Sequence, residues 1–207
     1  VYMAWSHWKF LAICRLLGWT APHSIITKSN RSSINSLRRE IVKTISPLHY
    51  FLNCMLLLLP VMIWNVIFAD RLPRLYSPEV FDKDIPDFII FGENVLRLIV
   101  FVLPLLMPLR IETPVQKIGL AFYIAGVVIY FFSWLVQMYF PQSPWSLSAI
   151  GSLAPAYTPL IWLVGIGLIG SKFYFPFPYR SWMYITLSFV FLTFHLSHAT
   201  LVYYRSL

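Results

Sequence analysis

Charge is what this chain has least of. Only 12% of its 207 residues are Asp, Glu, Lys or Arg, against roughly 25% in an ordinary soluble domain. The rest is 58% hydrophobic and 18% aromatic, with a mean hydropathy of +0.69. A soluble protein of this length could not hide so much apolar surface, so the composition points to an integral membrane protein. Cysteine is almost missing. Cys14 and Cys54 lie far apart, one in the N-terminal segment and one in an apolar run, which argues against a disulfide framework. There is no CxxC, P-loop, GxGxxG after a strand, GxSxG or HExxH, so the usual marks of nucleotide binding, serine hydrolysis and zinc proteolysis are absent. The length suits one bundle of five or six helices without a separate soluble domain.

The charge that is present is uneven. Net charge is +8, and seven of the sixteen Lys and Arg precede residue 50: Lys9, Arg15, Lys28, Arg31, Arg38, Arg39 and Lys43. Beside so many apolar runs, this excess reads as a cytoplasmic flank attracted to anionic lipid rather than a nucleic-acid site. The chain divides into a basic, amphipathic peripheral segment over 1–49 and a transmembrane domain over 50–207. Two readings of residues 1–20 stay open. One is an amphipathic helix in the membrane interface anchored by Trp5, Trp8 and Trp19. The other is a segment extraneous to the working protein.

Five apolar runs follow, over 50–69, 88–109, 118–139, 149–170 and 182–204. The expected fold is all-α, a polytopic bundle of five transmembrane helices, or six if the N-terminal segment inserts. Pro60 falls mid-run in the first. Pro104 and Pro108 are placed to kink the end of the second. Gly119 and Gly126 in the third permit close helix approach. Pro155 and Pro159 flank Tyr157 and Thr158 in the fourth, where a continuous regular helix is not expected: a proline kink is one reading and a broken helix or re-entrant start the other, because proline frees carbonyls that must find other partners. With five spans, the N-terminal side carries eleven Lys and Arg in its loops and the other side four. The positive-inside rule then puts the N-terminus in the cytoplasm and the C-terminus outside a multi-pass cell-membrane protein.

Within the second run stand Glu93, Asn94 and Arg97. Charges cost at least a few kcal/mol each in hydrocarbon, so this helix should face other helices, and Glu93 and Arg97, four apart, can pair. A rise of about 1.5 Å per residue puts Glu93 roughly 8 Å and Arg97 roughly 14 Å inside the run. The fifth run travels the opposite way, with His198 roughly 9 Å and His195 roughly 14 Å from its end. The depths match, so the four side chains are expected to form one polar cluster. Asn65, Gln137, Tyr157 and Thr158 fall towards the same level. The candidate ligand-binding set is Glu93, Asn94, Arg97, Tyr157, Thr158, His195 and His198. Two histidines and a carboxylate suit zinc or iron, but His-x-x-His alone is a weak mark, and neither a metal ligand set nor a cofactor is assigned.

Three functions fit. The first is small-ligand or ion binding or transport at an outward-facing polar site, where Arg97 attracts an anionic group and the histidines respond to pH. The second is a structural subunit of a larger membrane complex, with the polar layer as internal glue. The third is a membrane-embedded enzyme that uses Glu93 or a histidine as acid or base, with or without a metal.

Overall fold

A computed structural model describes residues 51–72, 76 and 78–205. The basic amphipathic segment expected over 1–49 lies outside the described residues. The architecture is all-helical. Five longer helices run as α1 (Leu59–Ile67), α2 (Asp87–Val102), α3 (Pro114–Tyr139), α4 (Pro159–Ile169) and α5 (Ser181–Arg205). Among the described residues extended pairing is confined to one isolated antiparallel bridge, Asn53 with Pro108.

Three segments are long and apolar enough to cross a membrane: Asp87–Leu106 with 20 residues, Pro114–Tyr139 with 26 and Ser181–Arg205 with 25. The first and fourth apolar runs give shorter helical segments, Cys54–Ile67 and Ala154–Ile169. Proline explains both. Pro60 sits in the first turn of α1 rather than in its middle, where its missing N–H costs nothing. The fourth run is divided into single turns over Ala149–Ser152 and Ala154–Tyr157 before α4 starts at Pro159. The second run also departs from a straight 22-residue span. Its α-helix stops at Val102, tightens into a 3-10 turn over Leu103–Leu106, and is extended at Met107. There Met107 accepts from the Cys54 N–H at 2.8 Å, and the Leu109 N–H donates to Leu52 at 2.9 Å.

A proline inside a helical run removes one N–H and leaves the carbonyl four residues earlier without its helical donor. Side chains of other elements collect two such carbonyls. Pro104 strands Val100, whose oxygen accepts from the Tyr184 hydroxyl of α5 at 3.1 Å. Pro155 strands Gly151, whose oxygen accepts from the Gln137 amide of α3 at 2.8 Å. The next carbonyl, Ser152, accepts from the Tyr76 hydroxyl at 2.9 Å. A buried carbonyl without a partner costs about 1–3 kcal/mol, so these bonds tie the helix breaks to their neighbours.

Helix α3 starts in a capping box: the Gln116 N–H donates to Thr113 Oγ1 at 3.3 Å and the Thr113 N–H to Gln116 Oε1 at 3.0 Å. Its buried stripe runs Gln116, Gly119, Tyr123, Gly126, Val127, Tyr130, Ser133 and Gln137, spacings of three and four that keep one face turned inward. Against it lies α4, with backbones close enough that a Cβ on Gly126 would stand 2.4 Å from the Trp162 nitrogen. Antiparallel α2 and α5 close the other side. Tyr184 meets Val100 near one end, and Ile89 and Val202 pack together with Ile85 near the other. Outward faces stay apolar, as with Phe91 at 71% exposed, Leu98 at 65% and Phe132 at 66%.

Candidate functional site

Glu93 is the centre of the site. It is 2% exposed and lies on α2 between residues that pack on α5. Its neighbour Gly92 makes the approach possible: a Cβ there would stand 2.5 Å from the Phe194 ring. With no side chain at Gly92, the ring rests on the α2 backbone and brings His195 and His198 to the carboxylate.

Both carboxylate oxygens are used. Oε1 accepts from Arg97 in an i,i+4 ion pair and lies 3.0 Å from His195 Nδ1. Oε2 lies 2.7 Å from His198 Nδ1. Each imidazole is steadied by a ring: Phe191 stacks on His195 at 5.7 Å, and Phe81 leans on His198 at 4.2 Å. Asn94 Oδ1 accepts from Arg97 Nη1 at 3.3 Å, so Asn94 orients the guanidinium. The structure therefore brings Glu93, Asn94, Arg97, His195 and His198 into one constellation between α2 and α5.

The surroundings of His198 constrain its protons. Nε2 lies 3.0 Å from the Phe81 carbonyl oxygen, which only accepts, and 3.6 Å from a carboxylate oxygen of Asp82. An N–H therefore points out of Nε2. Neutral imidazole then has a bare lone pair at Nδ1, facing a carboxylate oxygen that is also an acceptor. Both contacts are hydrogen bonds when one proton sits between Nδ1 and Oε2, on either partner. The arrangement lends itself to holding that proton between His198 and Glu93.

Tyr157 and Thr158 are not part of this constellation. The Thr158 hydroxyl donates to the Ala154 carbonyl of its own turn at 2.8 Å. The Tyr157 hydroxyl donates to Ile150 at 3.2 Å, and its ring lines a separate groove with Ile89, Leu160 and Leu196. The broken fourth segment serves the site differently. Pro155, Ala156 and Pro159 wall a cavity of about 660 Å³ that also touches Arg97 and His195. Its walls include Trp134 and Trp162, which the sequence suggests only as core and interface anchors and whose buried indole N–H groups have no hydrogen-bond partner among the described residues. No spacing rule flags a tryptophan in an apolar run.

Metal ligation is poorly served. Both histidines spend Nδ1 on opposite oxygens of one carboxylate, and among the described residues no group of three or more His, Cys, Asp or Glu side chains is placed to hold an ion. Comparison of the chain with family models, curated proteins and solved structures finds no match.

Proposed function

We propose that the protein is a multi-pass membrane protein of five spans that binds, and on this basis transports, a small ligand at the polar site beside Glu93. The N-terminus is placed in the cytoplasm and the C-terminus outside, with the lipid bilayer as solvent for the apolar outer faces. Soluble monomers rarely present contiguous apolar surface on that scale. In this arrangement the shorter segments Cys54–Ile67 and Ala154–Ile169 complete the five crossings, lengthened by the turns and extended residues at their ends.

The observation that carries the ligand reading is the cavity itself. Its volume of about 660 Å³ is in the range of small-molecule sites, and its lining is the usual mixture of apolar walls and a few convergent polar groups. Two of those groups, Arg97 and His195, are fixed by the buried Glu93 carboxylate. A purely structural ion pair would need no such space beside it.

The test is retention of a small molecule. Protein purified in mild detergent is extracted with organic solvent and the extract analysed by mass spectrometry, alongside Ala199→Phe. Ala199 is buried and lines the cavity, so the larger ring fills it. The reading expects a compound retained by the parent protein and lost from a folded Ala199→Phe. Equal extracts from both would overturn it.

A further inference from the structure

The connection from α4 to α5 is aromatic for its length: Phe173, Tyr174, Phe175, Phe177 and Tyr179 stand close together, with Pro176 and Pro178 between. It is tied down at several points. The Tyr179 hydroxyl donates to the Gly167 carbonyl of α4 at 3.0 Å. The Tyr174 N–H donates to Leu106 at 3.1 Å, and its hydroxyl donates to Leu52 at 3.2 Å. Phe173 is buried, and its ring meets that of Tyr179 edge-on at 5.0 Å. That contact closes the two ends of the loop on each other. Between them Phe175 stacks on Phe173 at 5.1 Å, yet it stays 44% exposed, and Phe177 is 52% exposed. Proline narrows the backbone freedom of this stretch, so the two rings are held out from the bundle.

Lys172 and Arg180 stand at the feet of the loop, just outside the Phe173–Tyr179 contact on either side, and both are exposed. Neither meets an acidic side chain among the described residues. The start of α3 lies at the same end, because the Gln116 amide donates to the Ile169 carbonyl at 3.1 Å. That adds Arg110 and Lys117, with Glu112 as the one carboxylate among the described residues there. Both long helices α3 and α5 begin at this end, so the loop lies where apolar helix gives way to polar surroundings. Aromatic rings bury favourably at that boundary, and lysine and arginine beside it are drawn to anionic headgroups.

We propose that the loop over 171–180 is a docking site for an anionic phospholipid, with Phe175 and Phe177 among the upper acyl carbons and Lys172 and Arg180 on the phosphate-bearing headgroup. This rests on the membrane crossing of the long helices and not on the cavity beside Glu93. A zwitterionic lipid offers the same chains, but its ammonium group meets the two cations with like charge. A soluble anion offers the charge and leaves the rings in water. An anionic lipid answers both features together.

The photocrosslinking residue p-benzoylphenylalanine in place of Phe177 keeps an aromatic ring at the tip and bonds to what it touches. In nanodiscs of equal phosphatidylglycerol and phosphatidylcholine with matched chains, mass spectrometry identifies its adducts. Lipid adducts should favour phosphatidylglycerol by at least about fivefold, the scale of one surface cation. Lys172→Gln combined with Arg180→Gln should bring the ratio to within about twofold of one. Lys83→Gln should leave it unchanged, because Lys83 lies on the connection before α2, where Ile85 packs with Val202 at the opposite end of the bundle. Ala199→Phe, which fills the cavity, should also leave it unchanged, so failure of the cavity reading does not carry this one with it. An absence of lipid adducts, adducts to another protein in their place, adducts in the bulk lipid ratio, or an enrichment that survives the double substitution in folded protein would each overturn the assignment.

Discussion

The Tyr184 hydroxyl of α5 donates to the Val100 carbonyl of α2 at 3.1 Å, and that carbonyl is the one Pro104 leaves without a helical partner. The bond joins two antiparallel helices at the point where one of them breaks. It is fully buried, with Val100 at 0% and Tyr184 at 1% exposed.

Tyr184→Phe should therefore lower stability by about 1–3 kcal/mol, the cost of a buried carbonyl left without a donor. Adding Pro104→Ala restores an N–H four residues after Val100 and should recover most of the loss. Thermal unfolding in one detergent measures both. A double variant no more stable than Tyr184→Phe would show that Pro104 is not the cause of the vacancy.

Close helix approaches of α4, to α3 at Gly126 and to α5 at Gly167, give a contrast between two glycines. A Cβ on Gly126 meets the Trp162 backbone nitrogen at 2.4 Å, whereas one on Gly167 meets the Ile185 side chain at 2.7 Å. Backbone cannot turn aside, whereas the half-buried Ile185 side chain can shift, though only by moving its γ carbon against a stiff χ1. Gly126→Ala should cost about 1–3 kcal/mol through overpacking. In Gly167→Ala the gain of about 1 kcal/mol in helix propensity offsets part of the adjustment, so its unfolding temperature should fall by clearly less than that of Gly126→Ala. Equal losses in the two variants would contradict this account of the packing.

Sequence reasoning could reach Glu93, Arg97, His195 and His198 because depth in antiparallel spans follows from helical rise alone, and four costly groups at one level must meet. Asn94 came with them by adjacency. Tyr157 and Thr158 shared the level but not the direction: proline breaks on both sides of the pair rotate them away, and no periodicity survives such breaks. Asp82 and the Phe81 carbonyl were out of reach for a different reason. They lie between α1 and α2, in a connection whose path depends on tertiary packing. The cavity was hidden too, since most of its walls, such as Phe101, Phe191 and the Trp134 and Trp162 rings, are aromatic and apolar residues that sequence alone reads as core and interface. The prolines were legible as sites of kinks or breaks, but the partners of the carbonyls they strand, Tyr184 and Gln137, were not.

Orientation is open to a direct measurement. In a background with Cys14 and Cys54 replaced, Gln142→Cys and Lys172→Cys place single thiols at exposed positions on the loops before and after α4. The proposed five-span arrangement expects an impermeant maleimide added to intact cells to label residue 142 and to spare residue 172 until the cells are opened. Labelling of both from outside would remove the fourth crossing, and the reverse pattern would invert the protein.

The sharpest prediction compares the partners of Glu93. Sequence alone assigns the pairing to Arg97, whose loss would strand the carboxylate. The structure distributes it: Arg97 is 45% exposed at its side chain, whereas His198 is 2% exposed and meets Glu93 at 2.7 Å. Removing Arg97 leaves both histidine contacts in place and water or headgroup polar atoms within reach of the opening. Removing His198 strands Oε2 and the Phe81 carbonyl together in a closed space. His198→Phe should therefore destabilise by about 3 kcal/mol, the scale of breaking a buried charge pair from one side, and Arg97→Leu by clearly less. Glu93→Gln added to His198→Phe removes the stranded charge and should return part of the loss. A larger loss in Arg97→Leu than in His198→Phe, measured by denaturant or thermal unfolding, would show that the guanidinium and not the imidazole holds the buried carboxylate in place.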